Sequence, residues 1–190
     1  MSPEENALAR VVAALDAEAV PYMVTGSIAS SYHGRPRSTH DADIVIDPDS
    51  AQLTRVVRRL ATAGFHADET RALDALRRRR QFNVIEMESA SKIDLIVRKD
   101  RAFSGEELRR REMVDLSPGL RVALASAEDT ILSKLEWSLT AGGSQKQLDD
   151  ATGVLDVNPK LDREYIERWA GELGVLDLWA GIAGSSRPKL

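Results

Sequence analysis

Arg37-Ser38-Thr39-His40-Asp41-Ala42-Asp43-Ile44-Val45-Ile46-Asp47-Pro48 is the stretch on which the reading of this chain turns. Ala42–Ile46 is short and rich in β-branched residues, which predicts a strand, and Asp47-Pro48 stops it because proline cannot donate to a ladder. Asp41 and Asp43 stand two apart where the strand begins, so the period of two sends both side chains to one face. Carboxylates held side by side repel, and burying them is costly without a cation between them. A Mg²⁺ ion takes one or two carboxylates together with phosphate oxygens, which this pair can supply. Alone, an Asp-x-Asp is more often a strand-end turn than a metal site, so the neighbouring sequence has to decide.

Upstream, Ser2 and Glu5 form a capping box. Pro3 suits a first helical turn, and Leu8, Val11, Val12 and Leu15 share one helix face. After Pro21 comes a short strand, Tyr22–Thr25, ending at Gly26-Ser27 before a helical turn or two over residues 28–32. Glycine lets backbone approach closely, and the serine hydroxyl with nearby amides can donate to phosphate oxygens. Downstream, Ser50 begins a helix with Leu53, Val56, Val57 and Leu60 inside and Gly64 as its stop. Two apolar runs, residues 82–87 and Lys92–Val97, flank a hairpin turn at Glu88-Ser89-Ala90-Ser91. Asp94 interrupts the second run, and an acid in an apolar strand needs a partner or a job. If that strand lies beside the one bearing Asp41 and Asp43, all three acids converge, and two metal ions could span an attacking hydroxyl and a leaving pyrophosphate.

Further on, Ser104 with Glu107 is expected to cap a short helix, and Leu120–Leu124 alternates like a strand. Past Ser126 the pattern turns helical: Ala127–Thr140, 145–155, Arg163–Leu173 and a shorter piece at 176–182. Gly142-Gly143 and Asn158-Pro159 separate them. The expected fold is therefore α+β, a mixed β-sheet core with helices over residues 1–125, a C-terminal helical lobe over 126–183, and a flexible tail at 184–190.

The 190-residue chain is 43% hydrophobic and 29% charged, ample for one core or a core with a lobe. With no cysteine, disulfides and thiolate metal sites are excluded, which suits a reducing cytoplasm. No apolar run reaches bilayer length and no signal pattern opens the chain, so a soluble cytoplasmic protein without a membrane partner is expected. A net charge of −4 argues against a general positive coat for nucleic acid but leaves room for a local basic groove. The concentrated basic run, Arg77 to Arg80 with Arg71 nearby, reads first as a solvated face or mobile loop, and second as a docking patch for an RNA acceptor. Arg35 and Arg37 precede the acids directly, within reach of phosphate or acceptor. His33, His40 and His66 lack ligand spacing. Trp137, Tyr165, Trp169 and Trp179 fall at helical spacing and read as core.

Gly26-Ser27, thirteen intervening residues (28–40), Asp41-Ala42-Asp43 and a later strand Asp94 resemble the signature of the polymerase-β-like nucleotidyltransferases. The Arg37-to-Asp43 run, Arg-x-Thr-x-Asp-x-Asp, is similar to minimal bacterial members, and with the helical lobe the chain resembles AbiEii-like toxins and minimal nucleotidyltransferases over about residues 20–180. The resemblance implies metal-binding and catalytic roles for Asp41, Asp43 and Asp94, with Asp94 also helping to deprotonate the attacking hydroxyl. It implies phosphate binding by Gly26 and Ser27, and completion of the site by Lys134 and Asp150, with Lys146 and Asp149 as the alternatives. Two Mg²⁺ ions and a nucleoside triphosphate such as ATP follow as cofactor and substrate. An acceptor that is RNA (tRNA) or protein, and an antitoxin partner, follow from the toxin-like side. A small-molecule acceptor of the antibiotic type, or a non-catalytic nucleotide-binding or partner-binding module, are the alternatives.

Overall fold

The computed structural model describes residues 2–39 and 41–185. Its elements run α1 (Pro3–Ala17), β1 (Tyr22–Thr25), α2 (Gly26–His33), β2 (Ala42–Ile46), α3 (Ser50–Thr62), β3 (Phe65–His66), α4 (Glu69–Arg78), β4 (Gln81–Glu86) and β5 (Lys92–Val97). They continue α5 (Ala102–Arg110), β6 (Glu112–Ser117), β7 (Leu120–Leu124), α6 (Ala127–Thr140), α7 (Gln145–Val157), α8 (Arg163–Leu173) and α9 (Leu176–Ser185). The fold is α+β, a mixed sheet with helices, as the alternation of strand and helix patterns predicts.

By compactness the chain divides into two units: Met1–Thr25 with Thr39–Leu124, and Gly26–Ser38 with Ala125–Leu190. The second unit therefore takes α2 from the middle of the first, which no linear division at residue 125 captures.

In the sheet unit seven strands lie in the order β3-β4-β5-β2-β1-β7-β6. The pairings β2 with β5 and β1 with β7 are parallel, and the rest are antiparallel. One row of register partners, Phe82, Leu95, Ile44, Val24 and Leu124, is buried throughout. Paired residues on adjacent strands point to the same side, so this row marks the core face. α1 and α3 are amphipathic and bury Leu8, Val11, Val12 and Leu15, and Leu53, Val56, Val57 and Leu60. The capping box of Ser2 and Glu5 is formed as expected. α3 begins at Ser50 as expected, behind a capping box made by Asp49 and Gln52.

In the helical unit α2 meets α6 and α7, and α6 also meets α8. Gly34 allows the close approach: a Cβ there would lie 2.9 Å from backbone atoms of Gly153 and Val154 on α7. Asp129 caps the unit's interior. It is fully buried and accepts from Ser126 Oγ at 2.7 Å and from the Tyr165 hydroxyl at 2.6 Å.

Several local expectations are corrected. The Arg71–Arg80 region is helix α4 up to Arg78, so of the two readings its arginines form the solvated face and not a loop; Asp68 caps it and Ala72 and Ala75 bury its inner face. Ser104 does not cap α5; it lies buried within that helix, whose N-cap is Arg101, and receives the Arg101 guanidinium. Trp137 is 53% exposed, while Tyr165, Trp169 and Trp179 are core. The expected tail at 184–190 begins inside α9, and residues 186–190 lie outside the described ones, as does His40.

Candidate active site

The row next to the apolar one in the sheet unit reads Asn83, Asp94, Asp43 and Thr25 across four adjacent strands. Parallel pairing of β2 with β5 sets Asp43 directly beside Asp94. Because side chains alternate along a strand, this row points to the face opposite the apolar row. Asp94 is well covered, with 14% of its side chain exposed, whereas Asp41, just before the strand, is 60% exposed.

Lys92 lies two residues before Asp94 on the same strand and so on the same face. Its Nζ is 3.0 Å from Asp94 Oδ2 and 3.9 Å from Asp41 Oδ2. The hydrogen-bonded Asp94 carboxylate raises the lysine's pKa against the opposing pull of burial, with Asp41 and Asp43 adding to the rise. A cation thus already stands among the three acids. Among the described residues no group of three or more His, Cys, Asp or Glu side chains is arranged as it stands to hold a metal ion. The donor set nevertheless fits a hard dication, since it is all carboxylate oxygen and attracts the nearest positive charge on its own strand. Lys92 is the residue that sequence reading passed over. Its signal was its spacing of two from Asp94.

The second set of expected residues lies wholly within the helical unit. Gly26 starts α2 with φ of +63°, a left-handed conformation that favours glycine, and follows Thr25 directly in the chain. Ser27 Oγ accepts from Arg37 Nη2 at 2.5 Å. The same guanidinium grips Asp150 through Nε and Nη2, both at 3.0 Å. Lys134 Nζ meets Asp150 Oδ2 at 2.8 Å. Ser27, Arg37, Asp150 and Lys134 therefore form one chain of contacts drawn from α2, its following loop, α7 and α6.

Neither Lys134 nor Asp150 is solvated: their side chains are 6% and 10% exposed. Burial pushes the Asp150 carboxyl up, but the hydrogen bonds from Arg37 and Lys134 and their charges outweigh it, and its pKa is lowered. Of the alternatives, Asp149 instead accepts from the Gln145 amide on the exposed side of α7 at 2.9 Å. Arg35 pairs with Asp156 at 2.7 Å near the surface.

No protein-family model matches the sequence, and no curated protein matches it significantly. Solved structures do. An antigenic nucleotidyltransferase-like protein from Paracoccidioides brasiliensis superposes with a TM-score of 0.58 at 18% identity, covering 100% of this chain and 92% of that one. The antibiotic-resistance factor ANT(2'')-Ia, in solution, gives 0.55 at 12% identity over 92% of this chain and 95% of that one. Its complex with adenylyl-2''-tobramycin gives 0.53 at 13% identity over 98% and 100%. At 12–18% identity these likenesses show a shared fold, that of the nucleotidyltransferase-like protein and of ANT(2'')-Ia.

Proposed function

We propose that this chain transfers a nucleoside monophosphate from a nucleoside triphosphate to an acceptor hydroxyl. The observation that carries the reading is the Asp43–Asp94 register pair with a cation drawn among the acids, on a nucleotidyltransferase fold. The acceptor oxygen bonds to the α-phosphorus, the bond from that phosphorus to the β-phosphate bridging oxygen breaks, and pyrophosphate leaves. Asp94 takes the hydroxyl proton, a role suited to a partly covered carboxylate on the site face. Asp41, Asp43 and Asp94 would hold Mg²⁺, which supplies Lewis-acid stabilisation of the developing charge. Gly26, Ser27, Arg37 and Lys134 would bind the phosphates: Gly26 through backbone, Lys134 as a point charge, Arg37 as a planar fork. Asp150 holds the two cations in place.

The reading is tested by incubating the protein with each labelled triphosphate, Mg²⁺ and total RNA or cell lysate, then identifying the labelled species. Transfer of label to a defined acceptor is expected. No transfer with any triphosphate would sink the reading. A second reading has one observation behind it. Lys92 already neutralises part of the acid row, as it would in a nucleotide-binding or partner-binding module without catalysis. Triphosphate-linked stabilisation without any transfer would favour that module.

A further inference from the structure

The arginine run that sequence reading left between a solvated face and a docking patch is divided by its backbone. Arg79 is the αL C-cap of α4, with φ of 50° and ψ of 47°. That conformation costs a non-glycine residue roughly 1–2 kcal/mol. The turn separates neighbours in the run. Arg79 goes to Asp47, at 3.5 Å, and to the carbonyl of Arg98. Arg78 goes to Asp74 at 3.0 Å. Arg77 and Arg80 instead line a groove of about 570 Å³ between α4 and the start of β4, with Arg71, Asp74, Gln81 and Asn83. Three arginines there face one aspartate, and that aspartate is already shared between Arg77 and Arg78. The Arg80 side chain has no hydrogen-bond or ion-pair partner among the described residues. The Arg71 and Arg77 pairs are exposed contacts at i,i+3, worth little against a stronger anion.

The groove is continuous with the acid row. Asn83 is exposed, lines the groove, and is the register partner of Asp94 on the next strand. Opposed residues on antiparallel strands stand about 5 Å apart and point to the same face. A ligand lying along the arginines therefore ends at Asp94. Its charge must be negative. An amine-rich acceptor would meet three guanidinium groups, whereas a phosphodiester chain would meet planar forks that match phosphate oxygens. The chain's overall charge of −4 makes this concentration a local feature.

We propose that the α4–β4 groove binds the phosphates of a single-stranded RNA acceptor and directs its terminal hydroxyl to Asp94. The role given to Asp94 rests on the transfer reading above; the binding of RNA does not. The test uses a labelled single-stranded oligoribonucleotide, with binding followed by anisotropy across a salt series. Compared are the parent, an Arg71→Ala/Arg77→Ala/Arg80→Ala variant and the matching triple lysine variant.

The parent should bind with affinity falling as salt rises. The alanine variant should lose about tenfold or more at low salt, and its slope should flatten by roughly 2, about 0.7 for each phosphate contact removed. The lysine variant should keep most of the slope, because phosphate is also read as point charge, and it guards against an alanine variant that has lost its fold. The melting shift produced by triphosphate with Mg²⁺ should persist in the alanine variant. No RNA binding by the parent, or an unchanged slope in the alanine variant, would overturn the proposal. So would loss of the triphosphate-linked shift, which would assign the arginines to the nucleotide, or equal arginine-dependent binding of polyglutamate, which would assign them to an acidic protein. Arginine-dependent RNA binding without label transfer from any triphosphate would leave the groove standing and remove the transfer reading alone.

Discussion

The acid cluster of the sheet unit and the cation pair of the helical unit are built in different ways. In the sheet unit three carboxylates, Asp41, Asp43 and Asp94, have one ammonium among them, supplied by Lys92 from the same strand as Asp94. In the helical unit one carboxylate, Asp150, holds two cations, Arg37 and Lys134, brought from positions 113 and 16 residues away in the chain. The first set is joined by the parallel pairing of β2 with β5, with Lys92 and Asp94 two apart on one strand. The second is assembled from two helices and a loop. Carboxylates are suited to a hard dication, and guanidinium and ammonium groups to an anion, so the two clusters invite different perturbations.

The comparison breaks hardest at the acid row. Asp43→Asn keeps the shape of the side chain and removes the charge, so nucleotide transfer should fall by a factor of about a thousand or more. Charge stabilisation of that kind contributes several kcal/mol to a transition state. The parent should also gain melting temperature from triphosphate with Mg²⁺, by mass action, and the variant should gain little. Full transfer by Asp43→Asn would remove Asp43 from the chemistry.

On the other side, Asp150→Asn strips the counter-charge from a nearly buried lysine. Removing one member of such a pair costs on the order of 3 kcal/mol, measured as a lower urea midpoint at neutral pH. Because folding lowers the pKa of Asp150, its stabilisation is fully present above the unfolded value of about 3.9 and is lost as pH falls through the folded value. The stability gap between parent and Asp150→Asn should therefore close in acid below that value. A gap that stays constant down to strongly acidic pH would mean that Asp150 acts through packing rather than charge.

Gly34→Ala sharpens the comparison by disturbing geometry without touching charge. Its Cβ would meet the backbone of Gly153 and Val154 at 2.9 Å, so α2, which carries Ser27, must shift from α7, which carries Asp150. Overpacking of this kind costs about 1–3 kcal/mol. The facing Gly153→Ala would bring a Cβ only to 3.5 Å from the flexible Arg35 side chain and should be neutral or slightly stabilising in a helix interior. Equal destabilisation by both, in denaturant melts, would show that the contact is not the reason Gly34 is needed.

These contrasts also explain what could be read in advance. The placement of Asp43 beside Asp94 was legible because an acid inside an apolar strand breaks the pattern, and the position of Gly26-Ser27 because it ends a strand. β2, β5, α6 and α8 were legible from strong local periodicity. The contact of Arg37 with Asp150 was not, since no local pattern couples residues so far apart in the chain. α4 escaped because its inner face is carried by Ala72 and Ala75, too small to stand out beside four arginines. β6 escaped because its residues are exposed or half-buried, so no apolar alternation marks it. Trp137 was misplaced because helical spacing alone does not say which face of α6 is inside; Ile131, Leu132 and Leu135 take that face.

Lys92 offers the smallest and most informative break, because its ammonium lies 3.0 Å from Asp94 and 3.9 Å from Asp41. Lys92→Met keeps most of the stem and removes the charge. Without metal the variant should melt lower than the parent, since Asp41 and Asp94 then lose the ammonium that they share and repel more strongly. With Mg²⁺ the order should reverse, because no ammonium has to be displaced from Asp94 before the ion can bind. The gain should be about tenfold in Mg²⁺ affinity, near 1.4 kcal/mol, the scale of one unit charge a few ångströms away in a water-like medium. Isothermal titration with Mg²⁺ and melting with and without the ion measure the two halves separately. Lys92→Arg keeps the charge and should behave as the parent in both. Weaker Mg²⁺ binding by Lys92→Met would give the lysine a supporting role, such as fixing Asp94 in place. Unchanged Mg²⁺ binding would place the ion away from Asp94, and the acid row would then be held together by the lysine for structural reasons alone.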